Sequence, residues 1–444
     1  MRWHDGRPLT PADVVFTFDY YAKQTLSPEI IAMPVPGIAE VKATGPRTVE
    51  FRLKAPIATF LGFGGAGAVP IVPKHIWESI DHAAMATDPK VLVGSGPYRL
   101  NSYSSGDGSY LYTANDDYFL GKPFVKRIEN RPVGDPLTAL RGGEIDAATV
   151  LGVTPAVLKS FRAGDSFGIL RQPPGAVQLA LNWNLARGGA LAEVRFRQAC
   201  AKVINREDIV KRAFGGNGTP GNPGWIPPGN PWHVDVEQYP FDPAGANRLL
   251  DRTGYKKGSD GIRSDPDGKP LRFGLVVASP APAAVEVVVR ALRALGVEAK
   301  PEALDMASFI PRLVKGDTDL SLIMSGGMNT GNEPDYLRTV YSSKTKSVQH
   351  AQGYVNAEVD RLAQQQLVTL DEGRRKRMVA RIQQLVARDV PVLPLFYPDS
   401  LHVFKRSAFD AWYVTPGGVA GSIPLFNNKQ AFITGAKTGV KVRS

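Results

Sequence analysis

The chain has 444 residues, too many for one simple hydrophobic core, so we expect two or three domains. Hydrophobic residues make up 43% and charged residues 21%, which is ordinary for a soluble globular protein. The net charge of +11 raises the possibility of nucleic-acid binding, but no zinc-finger, RNP-type or basic-repeat motif accompanies it. We therefore predict no nucleic-acid partner.

Three further features narrow the class of protein. The basic run Arg374–Arg377 belongs to a helical pattern whose other face is apolar, so we interpret it as a solvated helix face. The single cysteine, Cys200, has apolar neighbours and is predicted to be a small core residue. No segment reaches the ~18 to 20 apolar residues that span a bilayer, and the chain as given begins with no secretion signal.

The first helix has a clear start. Asp5–Gly6 is turn chemistry, Thr10 can cap the helix and Pro11 fits its first turn, while Asp13 can reach back to the cap. A strand is predicted over Thr48–Leu53, where apolar and polar residues alternate.

The glycine-rich run Gly62–Gly67 matches G-x-G-x-x-G by letter. A dinucleotide site needs a helix to begin there, but Pro70 and Pro73 follow. We interpret the run as a flexible loop.

Strands, helices and loops then alternate along the chain. The pattern predicts the following elements: a strand after Gly94–Pro97, a helix stop and short strand at Leu140–Asp146, a strand over Val177–Asn184, a helix over Glu193–Ile204, a helix capped by Asn205, an irregular loop over Gly215–His233, a helix from Asp242 and a turn at Asp265–Gly268.

From Leu271 to Met324 the order is strand, helix, strand, helix, strand, which predicts an α/β lobe with a largely parallel sheet. Helices over Glu358–Thr369 and Glu372–Asp389, capped by Asn356 and Asp371, come next. Strands are then predicted over Val392–Tyr397 and Leu401–Phe404.

The strongest candidate for ligand binding is the polar loop Ser325–Leu337, because ligands bind beyond the carboxyl ends of strands in α/β sheets. A plain surface loop is the alternative interpretation. Four aromatic residues at loop or hinge positions either stack on a ligand or fill the core: Tyr98, Trp183, Trp225 and Trp232.

Nothing in the sequence supports an enzyme. The six histidines are scattered without zinc spacing, no serine lies in a G-x-S-x-G elbow, and Asp265 and Asp267 lack the twelfth ligand of a calcium loop. We predict no catalytic residue, metal or cofactor. A hydrolase is kept as the alternative from another class.

The segment Trp3–Phe16 resembles the "W-x-D-G-x-P-(L/F)-T-A-x-D-V" motif of solute-binding proteins of ABC importers, the peptide/nickel type or family 5. Further segments resemble motifs of the same family in the same order: Gly94–Tyr98, Leu140–Asp146, Leu181–Arg206 and Phe241–Leu250.

This resemblance implies an α/β fold of the periplasmic-binding-protein-like type II, a Venus-flytrap with two lobes, a hinge and a central ligand cleft. It implies a receptor that captures a peptide or peptide-like solute and delivers it to a membrane permease with its ATPase. The alternative is a non-peptide solute such as a metal chelate, an opine or a sugar-like molecule. The implied location is periplasmic or anchored at the cell surface, and we expect a monomer.

The family layout implies a division of the chain. Residues 1–92 would form an accessory subdomain of lobe 1, 93–181 its main part, 182–398 lobe 2, and 399–444 a segment returning to lobe 1. In the family the first motif lies well inside the mature chain, so the resemblance implies that an N-terminal part is missing.

Alignment with peptide-binding relatives puts Gly327 at a Trp position and Thr330 at an Asp position, where the Asp holds the ligand's α-ammonium group. Thr330 can accept a hydrogen bond but cannot neutralise an ammonium group, which counts against an ordinary free-amine peptide. The predicted ligand-binding residues are Asn182, Trp183, Asn184, Trp225, Gly327, Met328, Asn329, Thr330 and Asn332.

Overall fold

The computed structural model describes residues 1–23, 37–61, 66, 69–81, 88–151, 153–172, 178–278, 281–325, 333–345, 347 and 350–412. These residues form two compact units, each built from separated stretches of chain. The first contains residues 1–150, 159–171 and those from 401 onward; the second contains 151–158 and 172–400. The finer division of the chain at residues 92, 181 and 398 stays a prediction.

Helices account for much of both units. Their bounds are α1 Pro11–Lys23, α2 Lys74–Trp77, α3 Pro136–Gly142, α4 Pro155–Arg162, α5 Gly189–Ala192, α6 Val194–Val203, α7 Arg206–Phe214, α8 Pro243–Arg252, α9 Pro282–Leu295, α10 Met306–Val314, α11 Tyr336–Tyr341, α12 Ala357–Leu367 and α13 Glu372–Asp389.

The strands are mostly short. Their bounds are β1 Ile38–Gly45, β2 Thr48–Leu53, β3 Tyr98–Tyr103, β4 Tyr110–Ala114, β5 Arg127–Asn130, β6 Ala147–Leu151, β7 Phe167–Gln172, β8 Gln178–Trp183, β9 Gly218–Pro220, β10 Lys256–Lys257, β11 Arg263–Ser264, β12 Arg272–Ala278, β13 Glu298–Ala303, β14 Leu320–Ser325, β15 Val392–Pro398 and β16 Ser400–Lys405.

At the start of α1 the predicted reach of Asp13 back to the cap is confirmed, whereas the Thr10 hydroxyl group donates to Asp13 and does not act as the predicted capping acceptor. The Asp13 carboxylate accepts hydrogen bonds from the Thr10 backbone N–H (2.8 Å) and hydroxyl group (3.0 Å). It also accepts one from the Lys74 N–H (3.0 Å), which joins α1 to the start of α2. The strand predicted over Thr48–Leu53 is β2, the antiparallel partner of β1. The predicted loop Gly62–Gly67 lies outside the described residues except for Ala66.

The first family-like motif packs against the second within the first unit. His4 Nε2 lies 3.0 Å from the carbonyl oxygen of Gly96, and the Gly94 N–H lies 3.3 Å from His4 Nδ1. Burial lowers the pKa of His4, which favours the neutral ring. The neighbouring Trp3 is almost fully buried. These two motifs therefore form one structural element.

The three-stranded sheet β6-β16-β7 joins distant parts of the chain in the first unit. Phe404 of β16 packs with Tyr98, Leu170 and Trp412 in a buried cluster. His402, two residues earlier on the same face of the strand, is 7% exposed, and burial lowers its pKa to about 4.

A six-stranded mixed sheet organises the second unit, in the order β13-β12-β14-β8-β15-β9. β12 runs parallel to β13 and β14, as the predicted β-α-β-α-β segment requires. β8, β15 and β9 are antiparallel to their neighbours, so the prediction of a largely parallel sheet is wrong for this half. These strands enter the sheet from distant segments and not through βα crossovers.

β8 is a central strand with apolar clusters on both of its faces. Leu179, Leu181 and Trp183 belong to a core with α6, α7 and α9. Ala180 belongs to a second core with α11, α12 and α13. Cys200 is fully buried in the first of these cores, as predicted.

The predicted irregular loop Gly215–His233 contains the short edge strand β9, which the sequence pattern did not show. Gly221, directly after β9, passes so close to β15 that a Cβ atom there would overlap the Pro394 carbonyl group. The Gly221 N–H donates to the Leu395 carbonyl oxygen at 2.9 Å. Only glycine allows this approach.

The predicted helix caps in the second unit are confirmed. Each capping side chain accepts a hydrogen bond from a backbone N–H of the first turn: Asn205 from Asp208, Asp242 from Gly245, Asn356 from Glu358 and Val359, and Asp371 from Arg374. The predicted turn at Asp265–Gly268 is closed by the Gly268 N–H, which donates to the Asp265 carbonyl oxygen.

Candidate functional site

The candidate site lies at the carboxyl end of β14. Residues 326–332 follow this strand and lie outside the described residues, and with them five predicted ligand-binding residues: Gly327, Met328, Asn329, Thr330 and Asn332. Their contact with a ligand stays a prediction. The two flanks of the loop, at Ser325 and at Glu333, are described and define what surrounds it.

Gln178 lies beside the first flank. It is the first residue of β8 and pairs with Ser325 across the antiparallel ladder. Its side chain is 2% exposed, and neither its amide nitrogen nor its amide oxygen has a hydrogen-bond partner among the described residues. Burying an unpaired amide costs about 1–3 kcal/mol, so this side chain offers unused hydrogen-bonding capacity at the end of β14.

The register places Asn182–Asn184 at the other end of β8. Trp183 pairs with Leu320, the first residue of β14, whereas the loop begins after the last. At ~3.4 Å per residue, Asn184 lies ~20 Å along the strand from Gln178. The alternating pattern identified the strand but could not show which end lies beside the loop.

Trp183 and Asn184 have structural contacts where they lie. Trp183 is 1% exposed within the core. The Asn184 amide donates to the carbonyl oxygens of Gly316 (3.1 Å) and Thr318 (2.8 Å), and its oxygen accepts from the Ala186 N–H. These contacts fix the end of β8. Asn182 is half-buried and lies on the same strand face as Gln178.

Trp225 packs against the helix that follows the loop. Its ring centroid lies 5.8 Å from that of Tyr336 and 5.6 Å from that of Tyr341. Its backbone is in the left-handed region, with φ 76°, and its carbonyl oxygen accepts from the Tyr397 hydroxyl group at 2.6 Å. A non-glycine residue with positive φ is strained, and such strain often accompanies functional sites.

The second flank is held by an ion pair between Glu333 and Arg375. Arg375 Nε also donates to Gln366 Oε1 at 2.9 Å, and its guanidinium group lies 5.2 Å from the centre of the Trp232 ring. Burial raises the pKa of Glu333, and the nearby guanidinium group opposes this shift. The end of the loop is therefore fixed by buried polar contacts.

The interpretation of Arg374–Arg377 as a wholly solvated face is wrong at one position. Arg374, Lys376 and Arg377 are exposed, but Arg375 is buried. The pattern gave a weak signal, because Arg375 precedes the buried Val379 by one helical turn. Its partners Glu333 and Trp232 are distant in the sequence and could not be read from it.

The two remaining aromatic candidates have contacts within their own units. Tyr98 is 5% exposed, and its hydroxyl group donates to the Val125 carbonyl oxygen at 2.8 Å. Trp232 carries Arg375 and Lys376 over its ring. The burial and hydrogen bond of Tyr98 fit the interpretation that this residue fills the core.

Within the described ranges, no three His, Cys, Asp or Glu side chains are grouped so that they could hold a metal ion. No helix in that part of the chain has both the length and the apolar character needed to cross a bilayer.

Comparison with known proteins decides the family. Residues 1–348 match the family model described as "Bacterial extracellular solute-binding proteins, family 5 Middle". The chain belongs to this family. The predicted family 5 membership is confirmed. Because this is a family of solute-binding proteins, the prediction of a binding receptor, not an enzyme, is confirmed with it.

The relatives are binding proteins. The chain is 26% identical to the oligopeptide-binding protein AppA of Bacillus subtilis over 426 residues, 90% of this chain and 74% of that protein. It is 29% identical to a putative ABC transporter peptide-binding protein of Brucella ovis over 77% of this chain. The match spans 64% of that relative, slightly less than two thirds of its length.

Solved structures of the family have the same fold. A periplasmic oligopeptide-binding protein from Thermotoga maritima is 26% identical, with a TM-score of 0.82, over 99% of this chain and 86% of that one. NikZ from Campylobacter jejuni, solved in complex with Ni(L-His), is 26% identical with a TM-score of 0.75, over 91% of this chain and 80% of that one. The predicted two-lobed α/β fold is confirmed by this likeness.

Proposed function

We propose that this family 5 protein is the receptor of an ABC importer for a peptide or peptide-like solute. The observation that carries the proposal is the match over nearly the whole chain to oligopeptide-binding proteins, in sequence and in fold. The likeness to a protein solved with Ni(L-His) supports a metal chelate as the second candidate solute.

In this proposal the ligand binds at the carboxyl end of β14. The loop residues that contact the ligand are Gly327, Met328, Asn329, Thr330 and Asn332. The buried amide of Gln178 provides a donor and an acceptor beside them. Trp225 and the Glu333–Arg375 pair fix the helix and the loop end that complete the site. Trp183 and Asn184 position β8, and Asn182 lies between the two groups.

Native mass spectrometry of freshly purified protein tests the solute class directly. We expect a co-purifying peptide or peptide-like molecule, which is then titrated by calorimetry beside Ni(II)–histidine and peptides of two to five residues. Saturable binding of a peptide alone supports the first candidate. Binding of the nickel complex alone would support the second candidate and contradict the first.

Thr330→Asp tests how the site reads the ligand's amino end. If the ligand is a peptide, the new carboxylate should pair with its α-ammonium group. A charge-assisted hydrogen bond contributes roughly 1.5–3 kcal/mol, or about ten- to a hundred-fold in affinity. Thr330→Asn, which has the same size but no charge, is the control. If calorimetry shows no gain in affinity for any free-amine peptide, the result would contradict the hypothesis that the ligand is a peptide.

The family is extracellular, and we infer that this protein works in the periplasm or anchored at the cell surface. Its partners are then a membrane permease and an ATPase, and the receptor itself acts as a monomer. Light scattering of the purified protein would test the monomer, and co-purification with an ABC-importer permease would test the partner.

A further inference from the structure

A cationic groove lies in the second unit, at the end of α13 that is farther from Arg375. It has a volume of about 510 Å³ and is lined by α6, α8 and the end of α13. Arg195 and Lys202 occur two turns apart on α6, and Arg248 and Arg252 one turn apart on α8, so each helix presents its cations on one face. Arg388 of α13 adds a fifth cation.

Most of these charges have no carboxylate partner. Lys202, Arg248 and Arg252 form no ion pair with any described residue, and Arg195 donates only to Gln198 Oε1 at 3.1 Å. Arg388 is paired with Asp389 at 2.8 Å.

Each of the two acidic residues of the groove accepts a hydrogen bond from a backbone N–H group. Asp242 caps α8 by accepting from the Gly245 N–H at 2.7 Å. Glu237 accepts from the Tyr239 N–H at 3.3 Å. The groove therefore keeps an excess of positive charge, five cations against two acids.

The floor of the groove is fixed by buried hydrogen bonds. Gln198 is 9% exposed and donates to the Arg388 carbonyl oxygen at 2.8 Å and to the Tyr239 hydroxyl group at 3.3 Å. That hydroxyl group donates to the Ala387 carbonyl oxygen at 2.9 Å. These hydrogen bonds hold the floor of the groove beneath the cations. Because the surface is concave, the positive electrostatic potential of the cations is stronger there than it would be over a flat surface.

We propose that this groove is a second binding site, for a small polyanion with two or more phosphate or carboxylate groups. Its volume is within the range of small-molecule sites, about 300–1,000 Å³. Guanidinium groups bind phosphate and carboxylate oxygens in pairs, and an anion would relieve the repulsion among unpaired cations. The groove shares no lining residue with the proposed solute site at β14.

Calorimetry on the full chain tests this site, with pyrophosphate and citrate as probes at constant ionic strength. We expect saturable binding of at least one probe, and loss of about ten- to a hundred-fold in affinity in the double variant Arg248→Gln/Arg252→Gln. The matched control is Arg290→Gln/Arg377→Gln. It removes two exposed helical arginines outside the groove, also without ion pairs to described residues, and should change the affinity less than about twofold.

The two probes distinguish phosphate from carboxylate chemistry, and a preference for either supports the proposal. The single variant Lys202→Gln, measured separately, should also weaken binding. It keeps the proposal testable if the double variant does not fold. Absence of saturable binding for both probes would overturn the proposal. So would equal losses in the groove variant and the control, because they would show only general charge attraction.

Discussion

At the scale of residues, Gln178 and Tyr255 share one unusual property. Both are buried, and each has side-chain polar atoms without a partner among the described residues. Tyr255 belongs to the core on the α6 and α9 side of the sheet, whereas Gln178 lies on the face of β8 shared with Ala180. The proposed ligand site is beside Gln178 alone.

Gln178→Leu separates a role in binding from a role in folding. Because the amide is unpaired, replacing it with an apolar side chain should leave the free energy of unfolding unchanged or raise it by about 1 kcal/mol. Solute affinity should fall about tenfold if the ligand satisfies the amide. Tyr255→Phe is the control, and it should change neither affinity nor stability much. Unchanged affinity in Gln178→Leu would remove this residue from the site.

His402 gives the stability of the first unit a pH dependence. Its folded pKa is about 4 and its unfolded value about 6.5, so the unfolded chain binds a proton first as the pH falls. The contribution of the neutral, buried His402 to the free energy of unfolding is fully present above pH ~6.5. It is lost progressively as the pH falls to ~4, and the total loss is about 3 kcal/mol. Urea unfolding of wild type and His402→Phe from pH 7 to 4.5 should show a smaller loss in the variant. Parallel curves would contradict this assignment.

At this scale the sequence reveals local contacts and misses distant ones. The caps at Asp13, Asn205 and Asp242 were predictable because each bond joins residues only a few positions apart. The burial of Arg375 was not, because it depends on Glu333 and Trp232, which only the fold brings close.

At the scale of elements, the edge strand β9 depends on one glycine. In Gly221→Ala the new Cβ would overlap the Pro394 carbonyl group, so β9 must move away from β15. We expect a loss of about 2 kcal/mol or more in the free energy of unfolding, measured with urea. Gly134→Ala, with open space around the new Cβ, is the control and should cost far less. Equal losses would show that the close approach is unimportant.

Element prediction succeeded where a repeating pattern decides the structure. The bounds of β2 and α13 were predicted to the residue, since alternation and helical periodicity run through them. β9 has only three residues and no pattern of its own, because its pairing with β15 creates it. The mixed order of the six-stranded sheet escaped prediction for a similar reason: strand direction at β8 and β15 is set by long-range pairing.

At the scale of the whole molecule, both units are assembled from separated segments of chain. Phe404, 1% exposed, covers Gly168 of β7 so closely that a Cβ there would overlap its ring. Phe404→Ala should cost about 3–5 kcal/mol. Hydrogen exchange should then show loss of protection in β6 and β7, more than 200 residues earlier in the sequence, and little change in β12 and β14.

Phe241→Ala is the matched control, because that side chain is 54% exposed and its truncation should leave exchange nearly unchanged. Equal loss of protection in both units of the Phe404 variant would contradict the expectation that the loss is confined to the first unit. The family motifs predicted the class of fold, but the residues that the two units draw from distant segments became visible only in the structure.

The sheet that contains β16 also imposes a waiting time during synthesis. Thr149 Oγ1 in β6 lies 3.2 Å from His402 Nδ1 in β16, although 253 positions separate the two residues in the sequence. At a ribosomal rate of about 5–20 residues per second, β6 exists for roughly 10–50 s before its partner is made. Every strand of the second unit's large sheet is completed within that interval. Meanwhile β6 and β7 keep open edges, the surfaces that a nascent chain must shield from aggregation or hand to a chaperone.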